Sequence, residues 1–190
     1  FRSRRFLLDL QPDLVVVYHG FNGFWMVLPD VAPALVASDR LPTLPHRPSN
    51  LLARAEYALD LAAFRRAQFG GPVSASVDPE HSLCAHSYHE LLALCRDRGI
   101  AVALCTFNMA VDRASPPEVV AFYRQGFPQV GRLVAANELH TALLRALCRD
   151  GSATLIETGR ELDGRYADSF VDLVHFTQRG RDRMAENVFS

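Results

Sequence analysis

The chain has 190 residues, of which 49% are hydrophobic and 22% are charged, and its formal net charge is −1. This composition is typical of one soluble globular domain with a substantial apolar core. The balance of 20 basic and 21 acidic side chains argues against nucleic acid or an anionic membrane as a partner, and no apolar run reaches the roughly 18 residues of a transmembrane helix.

Three apolar segments are predicted to be strands: PDLVVVYHG at 12–20, GIAVALCTF at 99–107 and SATLIET at 152–158. The first two are apolar on both faces, which predicts buried strands of a parallel sheet. The main helices are predicted over 49–70, about 80–98, 115–126, 130–151 and 177–189. Strands separated by helices predict an α/β fold, here as one domain over residues 1–190.

Some boundaries of these helices have their own sequence signals. Ser115 is the predicted N-cap of the helix at 115–126, with Pro116 at its first helical position, and Thr177 is the predicted N-cap of the last helix. Gly151 is expected to close the helix that starts at 130.

Residues 21–49 are predicted to form a long loop, because prolines occur at 29, 33, 42, 45 and 48. A loop of this length inside a compact domain is usually either functional or disordered.

The four cysteines are predicted to be reduced, buried thiols, because they are widely spaced and lie in mostly apolar company. They are Cys84, Cys95, Cys105 and Cys148. Reduced thiols favour a cytoplasmic setting, but the first residues, FRSRR, carry no targeting signal that can be read.

An aspartate and a histidine three positions apart, Asp172 and His175, follow the third predicted strand. In a tight loop, the carboxylate of Asp172 can reach one ring nitrogen of His175 and leave the other for proton transfer, as in serine hydrolases. The alternative is a local hydrogen bond that caps the terminal helix.

The segment HGFN, from His19 to Asn22, follows the first predicted strand. The side-chain amide of Asn22 is suited to donate to an oxyanion, and Gly20 would let the backbone turn sharply before it. The alternative is an ordinary strand-to-loop turn, where Gly and Asn are common.

Together these two blocks resemble the SGNH/GDSL hydrolases, a family of serine esterases and acylhydrolases with a flavodoxin-like three-layer α/β/α sandwich. Gly20 and Asn22 match the family's G-x-N-D block, and its last block, D-x-x-H followed by a Thr-containing turn and a Gly, is matched by Asp172, His175, Thr177 and Gly180. The resemblance implies catalysis by Asp172 and His175, an oxyanion hole that includes Asn22, and no metal or organic cofactor.

The chain departs from the family pattern at three points. Gly23 stands where the family has Asp. Neither the G-D-S block with the nucleophilic serine nor the family's second block, which supplies an oxyanion-hole glycine, occurs. Four serines, at 74, 76, 82 and 87, lie in or near a second predicted loop, GPVSASVDPE, and the start of the helix after it. Their hydroxyls are expected to cap the helix or to face solvent rather than to attack a substrate.

The resemblance therefore leads us to expect that the N-terminal part, with the serine and the first strands, is missing. Removal of those strands would uncover one edge of the first strand seen here, and we expect this fragment alone to be inactive and poorly soluble.

The substrate is expected to be a small-molecule, glycan or lipid ester, and neither its identity nor the oligomeric state can be read from the sequence. The rival hypothesis is a non-catalytic α/β binding module, a degenerate carbohydrate- or lipid-binding relative.

Two further clusters of side chains stand out in the sequence. The segment HSLCAHSYHE has a spacing that would suit zinc, but no second ligand pair is visible and a polar helix start is the preferred interpretation. It contributes His81, Cys84, His86, His89 and Glu90. The segment after the first predicted strand is rich in aromatic residues and contains Phe21, Phe24, Trp25 and Met26. These side chains would either line an acyl pocket or pack over the sheet.

Overall fold

The computed structural model describes residues 10–28 and 78–190, apart from residues 161 and 163 and the side chain of Trp25. Three strands lie in the described part: β1 (Leu14–Tyr18), β2 (Ala101–Cys105) and β3 (Thr154–Ile156). The helices are α1 (Leu83–Arg96), α2 (Pro117–Gly126), α3 (Val130–Leu147), α4 (Tyr166–Ser169) and α5 (Gln178–Phe189), and short 3-10 helices occur at Phe21–Met26 and Pro79–His81. The predicted helix over 49–70 and residues 29–49 of the predicted loop lie outside the described residues.

The three strands form one parallel sheet in the order β1-β2-β3. This confirms the predicted α/β fold with a parallel sheet. The register pairs Val17 with Leu104 and Leu104 with Leu155, so these side chains form a row on one face of the sheet. That face packs against α1 and α3 in a hydrophobic cluster that includes Tyr88, Leu91, Cys95, Leu143, Leu144 and Leu147.

The prediction that the first strand is buried on both faces was wrong. Leu14, Val16 and Tyr18 lie on the opposite face and are 52%, 48% and 38% exposed. Within the described residues β1 pairs with β2 alone, and β2 is the strand that the fold buries. Within the described residues, α1 and α3 pack against the face that carries Val15 and Val17, and Val16 points to the other face.

A second hydrophobic cluster lies beyond the carboxyl ends of the strands. It joins the 3-10 helix at Phe21–Met26, the chain after β2, helices α2 and α3, and the loop before α5. Its buried members include Phe24, Leu28, Met109, Tyr123, Leu133, Phe170 and Leu173. This cluster therefore places the loops that follow the strands.

The segment 21–49 was predicted as a loop, but its described beginning is more ordered than that. Phe21–Met26 forms a 3-10 helix, and Phe24, Val27 and Leu28 are buried. Phe21, Phe24 and Met26 pack into the cluster at the sheet end, as the second of the two interpretations predicted. The Phe24 ring lies edge-on to Phe107, with centroids 5.5 Å apart.

One of the predicted helix boundaries is confirmed and two were wrong. Thr177 caps α5, with its Oγ1 accepting from the Gly180 N–H at 3.1 Å. Gly151 does not close α3, which ends at Leu147 with Cys148 at its C-cap. Ser115 does not cap α2: its hydroxyl bonds to Asp112, and the helix begins one residue later than predicted, with Pro117 at its first position.

None of the four cysteines forms a disulfide; Cys84, Cys95 and Cys105 are buried and Cys148 is half-buried. Within the ranges given above, no helix combines the length and apolarity that crossing a bilayer requires.

Candidate functional site

Asp172 and His175 form a direct pair in the loop between β3 and α5. Asp172 Oδ2 lies 2.7 Å from His175 Nδ1, and Oδ1 accepts from the backbone N–H groups of Val174 and His175 at 2.9 Å each. The loop is closed by a bond of 2.7 Å from the Val171 N–H to the His175 carbonyl. The pair does not cap α5, because Thr177 does.

The electrostatics of the pair favour an ionised carboxylate. Burial raises the pKa of Asp172, but the Val174 N–H and the bonds from His175 outweigh it, and the pKa is lowered. The side chains of Asp172 and His175 are 43% and 77% exposed. With Nδ1 held by the carboxylate, Nε2 is the nitrogen left for proton transfer.

The backbone on both sides of this pair is anchored. Leu173 is fully buried, and its carbonyl accepts from the Ala110 N–H at 2.9 Å. On the other side, the Thr177 N–H donates to the Ser169 carbonyl at 2.9 Å. An exposed imidazole is thus carried on a fixed backbone.

A second Asp–His pair in the same chain has the same internal geometry in different surroundings. Asp78 and His81 are again three residues apart, and Asp78 Oδ2 lies 2.7 Å from His81 Nδ1. Asp78 Oδ1 accepts from the Glu80 N–H. This pair is more exposed than the first and lies on the 3-10 helix before α1. The distance in a D-x-x-H pair is therefore a local property, and any functional meaning comes from its surroundings.

Asn22 lies on the exposed side of the 3-10 helix that follows β1. The turn begins with the Gly23 N–H donating to the Gly20 carbonyl at 2.6 Å. The backbone turns after Gly20 as predicted, but Gly20 itself does not adopt a left-handed φ. A Cβ there would overlap the Phe107 ring and lie 2.7 Å from the Phe107 Cβ, so Gly20 is needed for close approach.

The structure brings the HGFN segment and the Asp172–His175 loop to the same end of the sheet. Phe21 packs edge-on against Phe127, with centroids 6.2 Å apart, at the end of α2. Tyr123, one turn earlier, lies near Asp172: burial and then the Asp172 charge raise its pKa. Both segments thus contact one hydrophobic cluster.

No protein-family model, curated protein or solved structure matches this chain. The resemblance to SGNH/GDSL hydrolases therefore depends on the two residue blocks quoted above.

The serines that the structure describes have structural roles, as predicted. Ser82 is buried and caps α1, with Oγ accepting from the Ala85 N–H at 3.1 Å. The hydroxyl of Ser87 donates to the Leu83 carbonyl at 3.0 Å. Ser74 and Ser76 lie outside the described residues.

A groove of about 410 Å³ lies beside α3 at the ends of β2 and β3. Its lining includes Asn137, Arg145 and Glu157, and Arg145 donates to Glu157 Oε1 from Nε at 2.9 Å and from Nη2 at 2.7 Å. Neither Asn22 nor the Asp172–His175 pair lines it. Asn22 and His175 are exposed in the described structure, and Asp172 is half-buried.

The histidines and the cysteine of HSLCAHSYHE do not gather into one site. His86 and His89 are exposed, and His86 lies 3.7 Å from Glu90. Cys84 instead points into the fold, where it meets His19 and His140. His19 and Cys84 stand in two separate sequence segments that were each predicted as candidates. No sequence signal marked His140, which lies in the middle of the long helix α3.

Proposed function

We propose that this chain carries the Asp–His part and one oxyanion donor of a serine ester hydrolase of the SGNH/GDSL type. His175 accepts the proton of a serine hydroxyl that attacks the ester carbonyl and then returns it to the leaving alcohol. Asp172 holds the imidazole in the required tautomer, and the Asn22 amide donates to the oxyanion. The serine comes from a segment that this sequence does not contain.

The observation that supports this proposal is the anchored loop around the pair. Leu173, between Asp172 and His175, is buried in the cluster that also contains Phe24, two residues after Asn22. The Asp78–His81 pair has the same internal distance but lies at the start of α1, and neither residue belongs to this cluster. Active sites of parallel α/β sheets lie beyond the carboxyl ends of the strands, which is where the first pair is.

The test is hydrolysis of p-nitrophenyl acetate by the protein expressed with its native upstream coding sequence. We expect His175→Ala to lower kcat/KM by about 10³-fold or more, since a general base contributes roughly 10²–10⁴. The matched control is His81→Ala, which removes an Asp-paired histidine of the same spacing and should leave activity unchanged. Equal effects of the two variants, or full activity of His175→Ala, would refute the role assigned to His175.

The rival proposal, a non-catalytic binding module, is favoured by Gly23 and by the missing G-D-S block. The coding sequence upstream of Phe1 decides between the two. An in-frame G-D-S some 50–100 codons earlier, on the order of two strand–helix units, supports the hydrolase. An initiator codon directly before Phe1 contradicts it and supports the binding module.

A further inference from the structure

Three side chains that can bind a metal converge from three separate elements. His19 follows β1, Cys84 lies in the first turn of α1, and His140 lies in the middle of α3. One ligand atom from each lies within 4.8 Å of the other two. Ligand atoms around a tetrahedral Zn²⁺ are about 3.3–3.7 Å apart, given bond lengths of roughly 2.0–2.3 Å. The three groups therefore need only small side-chain rotations to close on one ion.

His140 has the environment of a metal-binding histidine. It is 1% exposed, and its Nε2 lies 2.9 Å from the Tyr88 hydroxyl, which fixes the ring. Its Nδ1 is buried and has no hydrogen-bond partner. Buried polar atoms without a partner are rare and need an explanation. Metal-binding histidines commonly use one nitrogen for the ion and the other for such an orienting bond.

The charge states at this cluster also suit an ion. Burial lowers the pKa of His140 to about 4, with a further contribution from His19, and burial lowers the pKa of His19 as well. Both imidazoles are thus neutral at pH 7, which is the form that binds metals. Burial raises the pKa of Cys84 to about 12, so this thiol needs a cation beside it to lose its proton.

Gly23 gives the His19 ring its place. A Cβ at this position would overlap Cε1 and Nε2 of His19 and lie 3.0 Å from Nδ1. Any side chain at 23 would displace the ring from its present place beside Cys84 and His140. The departure from G-x-N-D at this position therefore has a structural reason.

We propose that His19, Cys84 and His140 form a zinc site with three protein ligands and an exchangeable water as the fourth. Two imidazoles and a thiolate are a donor set that Zn²⁺ accepts in tetrahedral geometry. His19 is partly buried but retains solvent-accessible surface, so the fourth position of the proposed site faces solvent on the side of the HGFN segment. The site is independent of the hydrolase proposal, because it uses none of the residues assigned to that reaction.

The test is titration of the chelator-treated chain with Co²⁺, followed by displacement with Zn²⁺. We expect one equivalent of Co²⁺ to produce a thiolate-to-cobalt charge-transfer band and the intense visible bands of a tetrahedral site. Zn²⁺ should remove both and, at about 100 times its Kd, raise Tm by about 5–10 °C. Absence of the charge-transfer band in the wild-type chain would overturn the proposal.

Variants assign the ligands. Cys84→Ser should remove the charge-transfer band, whereas Cys148→Ser, at a half-buried thiol outside the cluster, should keep it. His19→Ala, on the exposed side, should fold normally by circular dichroism and bind Co²⁺ at least about 10-fold more weakly. The matched histidine control is His86→Ala, which should bind as the wild type does. A band that persists in Cys84→Ser, or equal loss in His86→Ala, would contradict the site.

Gly23→Ala gives a test that alters no ligand. The added methyl group displaces the His19 ring, so we expect Co²⁺ affinity to fall by at least about 10-fold while the chain remains folded, as judged by circular dichroism. Unchanged affinity in a folded Gly23→Ala chain would show that His19 does not bind the ion.

Discussion

Gly180, near the start of α5, is a position where two general rules predict opposite effects of the same substitution. Replacing glycine with alanine inside a helix ordinarily stabilises it by up to about 1 kcal/mol. Here a Cβ would overlap the carbonyl oxygen of Ser169 and lie 3.0 Å from the Phe176 ring. The obstacle is backbone, so rotating a side chain cannot relieve it.

The cost of Gly180→Ala can be worked out from these contacts. Overpacking at a site that cannot relax costs about 1–3 kcal/mol. Displacing Ser169 also weakens the bond from the Thr177 N–H, worth about 0.5–1.5 kcal/mol. Subtracting the helix gain leaves an expected net loss of about 2 kcal/mol in the free energy of unfolding.

The matched control is Gly131→Ala, near the start of α3, where an added Cβ meets nothing within 4 Å. We expect this variant to be more stable than the wild type by about 0.5–1 kcal/mol. Urea denaturation followed by circular dichroism measures both changes. A Gly180→Ala chain as stable as the wild type would refute the claim that close approach of the Ser169 carbonyl decides this position. A destabilised Gly131→Ala chain would show that alanine is unfavourable at both helix starts for a reason other than close contact.

Two further predictions concern the residues around the Asp172–His175 loop. Thr177→Ala should lower the free energy of unfolding by about 1 kcal/mol, because the cap of α5 is lost. Thr177→Ser keeps a hydroxyl that can cap and should retain most of the wild-type stability; equal urea midpoints for the two variants would contradict this. Because the folded-state pKa of Asp172 lies below its usual value of 3.8, its stabilising contribution is complete above that pH and is lost as the pH falls through the folded-state pKa. Asp172→Asn should therefore flatten the decline of Tm with pH below about 4, and an unchanged slope would show that Asp172 is not stabilised in the fold.

The sequence predicted those features that depend on neighbours along the chain. The strand around Val102 and Leu104 and the Thr177 cap follow from local apolar runs and cap residues, and both are present. The Asp172–His175 contact is also local, since three residues in a tight loop suffice, and Asp78–His81 repeats it.

Features that depend on distant segments could not be predicted in the same way. The exposure of Val16 depends on which face of the sheet α1 and α3 cover, not on its neighbours along the chain. In the sequence, His140 is 121 positions from His19 and 56 positions from Cys84. Their meeting requires the sheet to place the end of β1 between α1 and α3, and no spacing pattern expresses that.

The packing of Gly23 against His19 also restricts how this loop can change. An aspartate at 23, the residue of the G-x-N-D pattern, would need the space that the imidazole fills. The turn can therefore accommodate an aspartate at 23 or the imidazole of His19 in its present place, but not both. A lineage moving between these arrangements would have to alter the two positions in turn, and an intermediate without the clash would lack both groups.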